Sequence, residues 1–196
     1  MTNESRTLVF SAVFLAKTPP ADQKIAQLAE WGKCFQSLGL VHGVEGNLSF
    51  RTRLGFIISG TGVALKALGG DTVSEVAGVV YGLNKTSVYV KGLAVPSTET
   101  ILHAQVYEER PDANAIFHVH DADVLRLAEK LSIPVTAQEE AAGSLRMAEE
   151  AVRLLKAGKD MRAFVLRNHG LVVLGASMEE AGRLVEEMHS RAAGKV

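Results

Sequence analysis

The sequence of 196 residues predicts an α/β protein in which helices cover a central, largely antiparallel sheet. Short apolar segments of strand type outnumber what a simple alternation of strand and helix would produce. Segments with helical periodicity lie between and after them and supply the covering layers. No internal repeat, low-complexity block or long linker interrupts the chain. We therefore predict a single domain over residues 1–196, with residues 1–20 as an N-terminal extension.

The composition, with 47% hydrophobic and 22% charged residues and a formal net charge of -1, is typical of a globular protein. No basic stripe with interleaved aromatic side chains is present, which argues against a nucleic-acid partner. A single cysteine, Cys34, excludes an internal disulfide framework and indicates a reducing compartment, so we expect a cytoplasmic protein. Because Cys34 lies in an apolar helical pattern, we expect a buried thiol without a chemical role.

The first apolar segment is LVFSAVFLA at residues 8–16, which is too short to span a bilayer. Its flank MTNESR lacks the positive charge of a secretory signal, and no clear cleavage site follows. We interpret the segment as an N-terminal strand or an anchoring segment, with a signal peptide as the weaker alternative. No membrane partner is expected.

The middle of the chain predicts one helix and four strands. Two prolines separate the first segment from a helix at residues 21–38, which Gly39 ends. Glycine-punctuated strands follow in HGVEGNLSFRT and LGFIISGTGVAL. Residues 76–93 predict a strand pair around the turn at residues 82–85.

The second half alternates helices and strands. A helix lies within PSTETILHAQVYEERPD, capped by Ser97 or Thr98 and closed before Pro111, and the strand AIFHVH follows. Residues 122–130 and 143–157 have helical periodicity. AFVLRNHGLVVLG then predicts two strands that meet near Asn168 to Gly170. The capping box Ser177-x-x-Glu180 opens the last helix.

The strand AIFHVH carries two histidines on one face, because side chains of a strand alternate between its two faces. His118 and His120 could be ordinary packed histidines, or two ligands of a divalent metal ion. His169, which precedes a glycine at the junction of two strands, is the best third ligand. Catalytic metal sites typically use three protein ligands and keep one position open.

Glu99 is expected in the first turn of its helix, where a carboxylate interacts favourably with the helix dipole. Beside a metal ion it could also act as an acid or base. His103 lies four residues later on the same helical face, where it could orient Glu99 or simply pack, and we predict a supporting role. Small polar turns around residues 46–49, 59–62 and 97–98 could together bind an anion without lysine or arginine, although each alone is an ordinary turn.

The motifs GNLSF, IISGTG, PSTETILHAQVYEERPDANAIFHVH and RNHGLVVLGASMEEA, in this order, resemble the class II aldolase/adducin family over residues 24–190. This family contains L-fuculose-1-phosphate aldolases and L-ribulose-5-phosphate 4-epimerases. The block from Pro96 to His120 is the most specific part of the resemblance.

The resemblance implies a three-layer α/β/α fold and a zinc-dependent aldolase of carbohydrate metabolism that reversibly cleaves a ketose 1-phosphate. Mn²⁺, Co²⁺ or Fe²⁺ are alternatives to Zn²⁺. The protein would bind a phosphorylated sugar and form a C4 homotetramer. The implied residues are His118, His120 and His169 for the metal, Glu99 as catalytic acid/base, and Asn47, Thr61, Gly62, Ser97 and Thr98 for the phosphate.

The tyrosines of the chain leave alternatives open. The family's aldolases use one tyrosine on a C-terminal extension and one from a neighbouring subunit to handle the departing aldehyde. Tyr81, Tyr89 and Tyr107 match neither position. A sugar-phosphate 4-epimerase or a dehydratase of the methylthioribulose-1-phosphate type is therefore the second hypothesis. A non-catalytic, adducin-like assembly domain is the third.

Overall fold

The computed structural model describes residues 10–82 and 85–194. Within these ranges, eight strands form one mixed sheet. They are β1 (Phe10–Ala16), β2 (Asn47–Arg51), β3 (Phe56–Ser59), β4 (Val73–Val80), β5 (Thr86–Gly92), β6 (Ala115–Val119), β7 (Ala163–Leu166) and β8 (Gly170–Gly175). Their spatial order is β1-β5-β4-β3-β2-β6-β8-β7.

Five α-helices cover the two faces of this sheet in the part of the chain that the structure describes. They are α1 (Lys24–Ser37), α2 (Thr100–Glu109), α3 (Ala122–Leu127), α4 (Leu145–Ala157) and α5 (Met178–Ala192). Apolar residues of α1, α3 and α5 pack into one core on one face. Those of α2 and α4 pack into a second core on the opposite face. The predicted three-layer α/β/α fold is confirmed.

The predicted antiparallel character of the sheet is also confirmed, because only β1 and β5 pair in parallel among the described strands. The predicted N-terminal segment forms β1 over residues 10–16. Residues 8 and 9 of that segment, and residues 83 and 84 of the predicted turn, lie outside the described residues. Within the described ranges, no helix has both the length and the apolar character needed to cross a membrane.

Element boundaries differ from the predictions in three places. Helix α1 begins at Lys24 instead of residue 21. Helix α3 ends at Leu127, short of residue 130, and Ser132 follows in the left-handed region with φ of 57°. Helix α2 begins at Thr100, so Glu99 takes the N-cap position that was predicted for Ser97 or Thr98.

Cys34 is only partly buried, which corrects the prediction of a buried thiol. Its sulfur lies 3.6 Å from Oε1 of Glu186. Burial and the neighbouring carboxylate raise the pKa of the thiol. Because a raised pKa disfavours the reactive thiolate, this environment agrees with a cysteine that has no chemical role.

Candidate metal centre

The three histidines predicted as metal ligands lie together where β6 and β8 are neighbours. His118 is on β6, His120 follows the end of that strand, and His169 lies in the turn before β8. One ring nitrogen of each histidine lies within 4.8 Å of the others. The structure therefore brings these three side chains together.

The ring nitrogens of His118 and His120 are placed as metal ligands would be. Nδ1–H of His118 donates to the carbonyl oxygen of Leu171 at 3.1 Å, which leaves Nε2 unprotonated in the neutral ring. This Nε2 lies 3.0 Å from Nε2 of His120. Two nitrogens bound to one tetrahedral zinc ion at about 2.0–2.1 Å would lie about 3.3 Å apart. The observed spacing fits a shared ion.

His169 contributes a buried nitrogen that has no hydrogen bond. Its Nε2 lies 2.9 Å from Oε1 of Glu99. The two groups nevertheless lack hydrogen-bond geometry, and this nitrogen has no other partner among the described residues. Leaving a buried polar atom unpaired is costly, and a metal ion held by the three imidazoles would satisfy it. The residues present therefore fit a divalent cation that favours nitrogen ligands.

Burial keeps two of the imidazoles in the metal-binding form. It lowers the pKa of His118 to about 4, which the charge of Glu99 only partly opposes. Burial, followed by the neighbouring charges of His118 and His169, also lowers the pKa of His120 to about 4. Because neutral imidazole is the ligand, protons compete with a metal ion only well below neutral pH.

The free energy of unfolding of the metal-free protein is expected to fall as the pH drops from about 6.5 to about 4. Unfolded His103, His118 and His120 take up protons near their ordinary pKa of 6.5, whereas the folded residues do so near 4. The unfolded state therefore binds more protons in this window and is favoured by acid. Urea unfolding at about pH 7, 5.5 and 4.5 measures the effect.

The variant His103→Gln is the internal control for this pH dependence. It removes one of the three imidazoles whose pKa is lowered, so the fall in stability should become smaller. A urea midpoint that stays constant or rises on acidification would contradict the expected dependence.

Gly170 allows the imidazoles to approach one another. A Cβ atom at this position would lie 2.5 Å from Cε1 of His118 and 2.7 Å from the carbonyl oxygen of Val119. Both distances are too short for any side chain, so a larger residue would displace the ring or the strand. The glycine that follows His169 is thus explained by close packing against β6.

The substitution Gly170→Ala is expected to reduce the free energy of unfolding by about 1–3 kcal/mol through overpacking. It should also weaken zinc binding, because the methyl group pushes on the His118 ring. Urea unfolding and zinc titration measure the two effects. Gly78→Ala is the matched control, since a Cβ there meets no heavy atom within 4 Å. Equal results for the two variants would contradict the expectation.

Glu99 lies beside the histidines with its side chain almost completely buried. Its Oε2 is 3.2 Å from Nε2 of His118 and accepts a hydrogen bond of 2.6 Å from Nδ2 of Asn47. Burial alone would raise the pKa of this carboxyl. The charge of His118, the contact and charge of His169, and the amide of Asn47 outweigh burial and hold the pKa below its ordinary range. The carboxylate is therefore ionised at neutral pH.

Two loops that were predicted as anion-binding turns are joined to each other. Gly60 pairs with Pro96 in an isolated bridge. The backbone N–H of Thr61 donates to the carbonyl oxygen of Val95, and its hydroxyl donates to that of Pro96, each at 2.8 Å. Thr61 therefore connects the loops and uses its own donors in doing so.

Other donors of these loops are free. The backbone N–H groups of Gly62 and Thr98 make no hydrogen bond to the described part of the chain. The hydroxyl oxygen of Ser97 accepts from the backbone N–H of Glu99 at 3.3 Å, so its own proton remains available. Ser97 and Thr98 lie just before α2, whose N-terminal end stabilises an anion, and Gly62 lines the same cavity as these two residues.

A cavity of about 200 Å³ connects His120 and His169 with these loops, and no lysine or arginine lies among its described lining residues. Glu45, which the sequence analysis missed, also lines it. Its Oε2 is 3.8 Å from Nδ1 of His120. The one signal in the sequence was its position directly before Gly46 and Asn47. The predicted residues on the cavity wall are Asn47, Thr61, Gly62, Ser97, Thr98, Glu99, His120 and His169.

The fold and this arrangement of residues agree with the comparison to known families. Residues 26–194 match the family model of the class II aldolase and adducin N-terminal domain. The chain therefore belongs to this family, as its motifs predicted. Strand β1 lies before the matched region.

Relatives within the family have different activities. The chain is 30% identical over 167 residues to an L-fuculose phosphate aldolase of Escherichia coli O6:H1, a match that covers 77% of this chain and 72% of that protein. It is 27% identical over 193 residues to a 3-oxo-tetronate 4-phosphate decarboxylase of Haemophilus influenzae, covering 84% and 83%. The match to human gamma-adducin spans 13% of that protein's length.

A solved structure supports the same fold. The crystal structure of L-fuculose-1-phosphate aldolase from Thermus thermophilus superimposes with a TM-score of 0.69 at 23% sequence identity. The alignment covers 87% of this chain and 91% of that one. At this identity the likeness defines the architecture and leaves the reaction to be argued from the site.

Proposed function

We propose that the protein is a divalent-metal-dependent lyase that cleaves a carbon–carbon bond of a ketose 1-phosphate. The observation that carries this proposal is the convergence of His118, His120 and His169 beside Glu99. Zn²⁺ is the expected ion, and Mn²⁺, Co²⁺ or Fe²⁺ can also use imidazole ligands. Both an aldolase and a decarboxylase among the relatives agree with a lyase.

The phosphate of the substrate would bind to the free donors of Gly62, Ser97 and Thr98. The N-terminus of α2 adds a favourable dipole, so the pocket needs no cationic side chain. Binding at this point would hold the reacting carbons beside the histidines.

A bound cation would supply positive charge next to an oxygen that becomes negative as the carbon–carbon bond breaks. In the cleavage direction, the hydroxyl of the departing carbon loses its proton and that fragment leaves as an aldehyde. Glu99, which is ionised at rest, takes up a proton from solvent and gives it to the carbon that remains on the phosphorylated fragment. In the reverse direction, ionised Glu99 removes the same proton.

In this proposal, the carboxylate of Glu45 accepts the proton that the hydroxyl of the departing carbon loses. No tyrosine lies among the described residues that line the cavity, and Glu45 and Glu99 are the acidic side chains found there. A carboxylate at this position would repel a second anionic group of the substrate. It therefore favours a neutral aldehyde as the departing fragment.

Product analysis of the zinc-loaded protein tests this proposal. A panel of ketose 1-phosphates should yield dihydroxyacetone phosphate or a related fragment, detected by NMR, and activity should vanish after chelation and return with zinc. If the metal-loaded protein cleaves no member of a broad panel, aldol cleavage is excluded.

A second reaction on the same site is supported by two observations. One relative is a decarboxylase, and the described cavity offers no tyrosine to handle an aldehyde. Decarboxylation, 4-epimerisation and dehydration can all use a metal-stabilised negative charge. NMR separates them, because decarboxylation releases carbon dioxide, dehydration releases water and epimerisation conserves composition.

We also propose that the chain forms a homo-oligomer, with the C4 tetramer of the family as the expected form. Val13 and Leu15 of β1 and Val80 of β4 are 37%, 54% and 55% exposed. The register places Val13, opposite Tyr89, and Val80, opposite Ser87, on the same sheet face, and Leu15 lies beside them at a bulge of β1. Clustered exposed apolar side chains are typical of interfaces. Sedimentation velocity that shows a monomer would contradict this proposal.

A further inference from the structure

A continuous chain of hydrogen bonds lies behind Glu99. Nδ2 of Asn47 donates to Oε2 of Glu99 at 2.6 Å, and Oδ1 of Asn47 lies 2.5 Å from Nε2 of His103. Nδ1 of His103 lies 2.7 Å from the hydroxyl of Ser49, which lies 2.8 Å from the hydroxyl of Tyr107. All five residues are buried. The mechanism above uses Glu99 alone of these five.

The chemistry of the groups determines which one donates and which one accepts in each of these hydrogen bonds. An amide oxygen only accepts, so Nε2 of His103 carries the ring proton. Burial lowers the pKa of His103 to about 4, although Glu99 opposes the shift, so the ring is neutral. Nδ1 must then accept from the hydroxyl of Ser49, which in turn accepts from Tyr107. In this arrangement Asn47 can present only its NH₂ group to Glu99.

Strand register explains why these residues meet. In the antiparallel ladder of β2 and β6, Asn47 is directly opposite His118, and Ser49 lies two residues further along β2 on the same face. Glu99, His103 and Tyr107 lie at intervals of four along α2, which packs on that face. The polar stripe of the helix and that of the strand therefore face each other.

We propose that His103 and Asn47 are positioning residues that fix the orientation of the Glu99 carboxylate. In this role the side chain of Asn47 holds Glu99, whereas the sequence predicted that it binds phosphate. His103 acts through Asn47, because it determines which end of the amide faces the carboxylate. The inference rests on the proposed acid/base function of Glu99.

Two variants of one residue separate this role from a purely structural one. In His103→Gln, the new amide can donate to Asn47 and accept from Ser49, so the direction of the chain is kept. In His103→Leu, neither bond can form. We expect kcat of His103→Leu to fall about 10- to 100-fold, with KM within about twofold of wild type. His103→Gln should regain most of that loss.

Ser49→Ala is a milder variant if His103→Leu does not fold. Removal of its hydroxyl frees the His103 ring to exchange its proton between the two nitrogens, and we expect the same loss of kcat on a smaller scale. In a Glu99→Gln background, the loss caused by His103→Leu or Ser49→Ala should disappear, because the effect is transmitted through Glu99. If KM of His103→Leu or Ser49→Ala increased while kcat stayed constant, the inference would be wrong. Phosphate binding would then be the better explanation for Asn47.

Crystal structures of the variants need no enzyme activity, so they test this inference separately from the proposed function. The crystal structure of His103→Leu, or of Ser49→Ala in its place, should show the Glu99 carboxylate displaced. The crystal structure of His103→Gln should show it in its wild-type position. If the carboxylate and the Asn47 amide are unmoved in the disrupted variant, the inference is wrong. If wild type turns over no substrate, the proposed function fails, while the position of Glu99 still decides the inference.

Discussion

Replacing His169 with alanine is expected to lower kcat/KM of the zinc-loaded protein by at least about 1000-fold. The variant loses one of three imidazole ligands and, with it, the charge that stabilises the developing oxyanion. Nε2 of His169 has no hydrogen bond to the described residues. Removal of the ring should therefore leave the remaining polar contacts in place. Steady-state kinetics and zinc titration by calorimetry measure the loss.

The control for this substitution is His42→Ala. His42 is exposed and lies outside the histidine cluster, so its removal should leave one zinc ion per chain and an unchanged rate. A His169→Ala protein that keeps both zinc and wild-type turnover would contradict the assignment of the metal centre.

The substitution Glu99→Gln is expected to reduce kcat by about 10²- to 10⁴-fold, the range for loss of a general acid/base. Glutamine has nearly the same shape but cannot carry the proton. The three imidazoles remain, so one zinc ion per chain should still bind. Kinetics with the best substrate of the panel, together with metal analysis of the same sample, measure both properties.

Glu30→Gln provides the comparison for this charge change, because Glu30 is an exposed residue of α1 that pairs with Lys33 at 2.8 Å. Its activity should equal that of wild type. Full activity of Glu99→Gln would exclude Glu99 as the acid/base. Loss of zinc in Glu99→Gln would instead make Glu99 a metal ligand first and a proton carrier second.

Local patterns predicted the elements that carry the site. The alternation of AIFHVH places Phe117 and Val119 in the core of one face and Ile116 in the core of the other. His118 shares the face of Ile116 and reaches Glu99. The glycine after His169 predicted a strand junction, and the structure adds that it also makes room for the His118 ring.

Contacts between distant strands could not be predicted in this way. Sequence spacing does not reveal that Asn47 lies opposite His118, because that pairing depends on the register of β2 against β6. The same limit hid the connection from His103 to Glu99 through Asn47, although the helical spacing correctly suggested that the two are neighbours. Glu45 approaches His120 only after the loop folds over the end of β6.

Strand β1 forms one edge of the sheet, far from the three histidines. It lies before the region that matches the family model, and four strands stand between it and β6. At about 4.8 Å per strand spacing, it is roughly 24 Å from the strand of the histidines. A strand gained or lost at this edge would change the surface that the sheet offers to other molecules and would leave the three histidines at β6 and β8 in place.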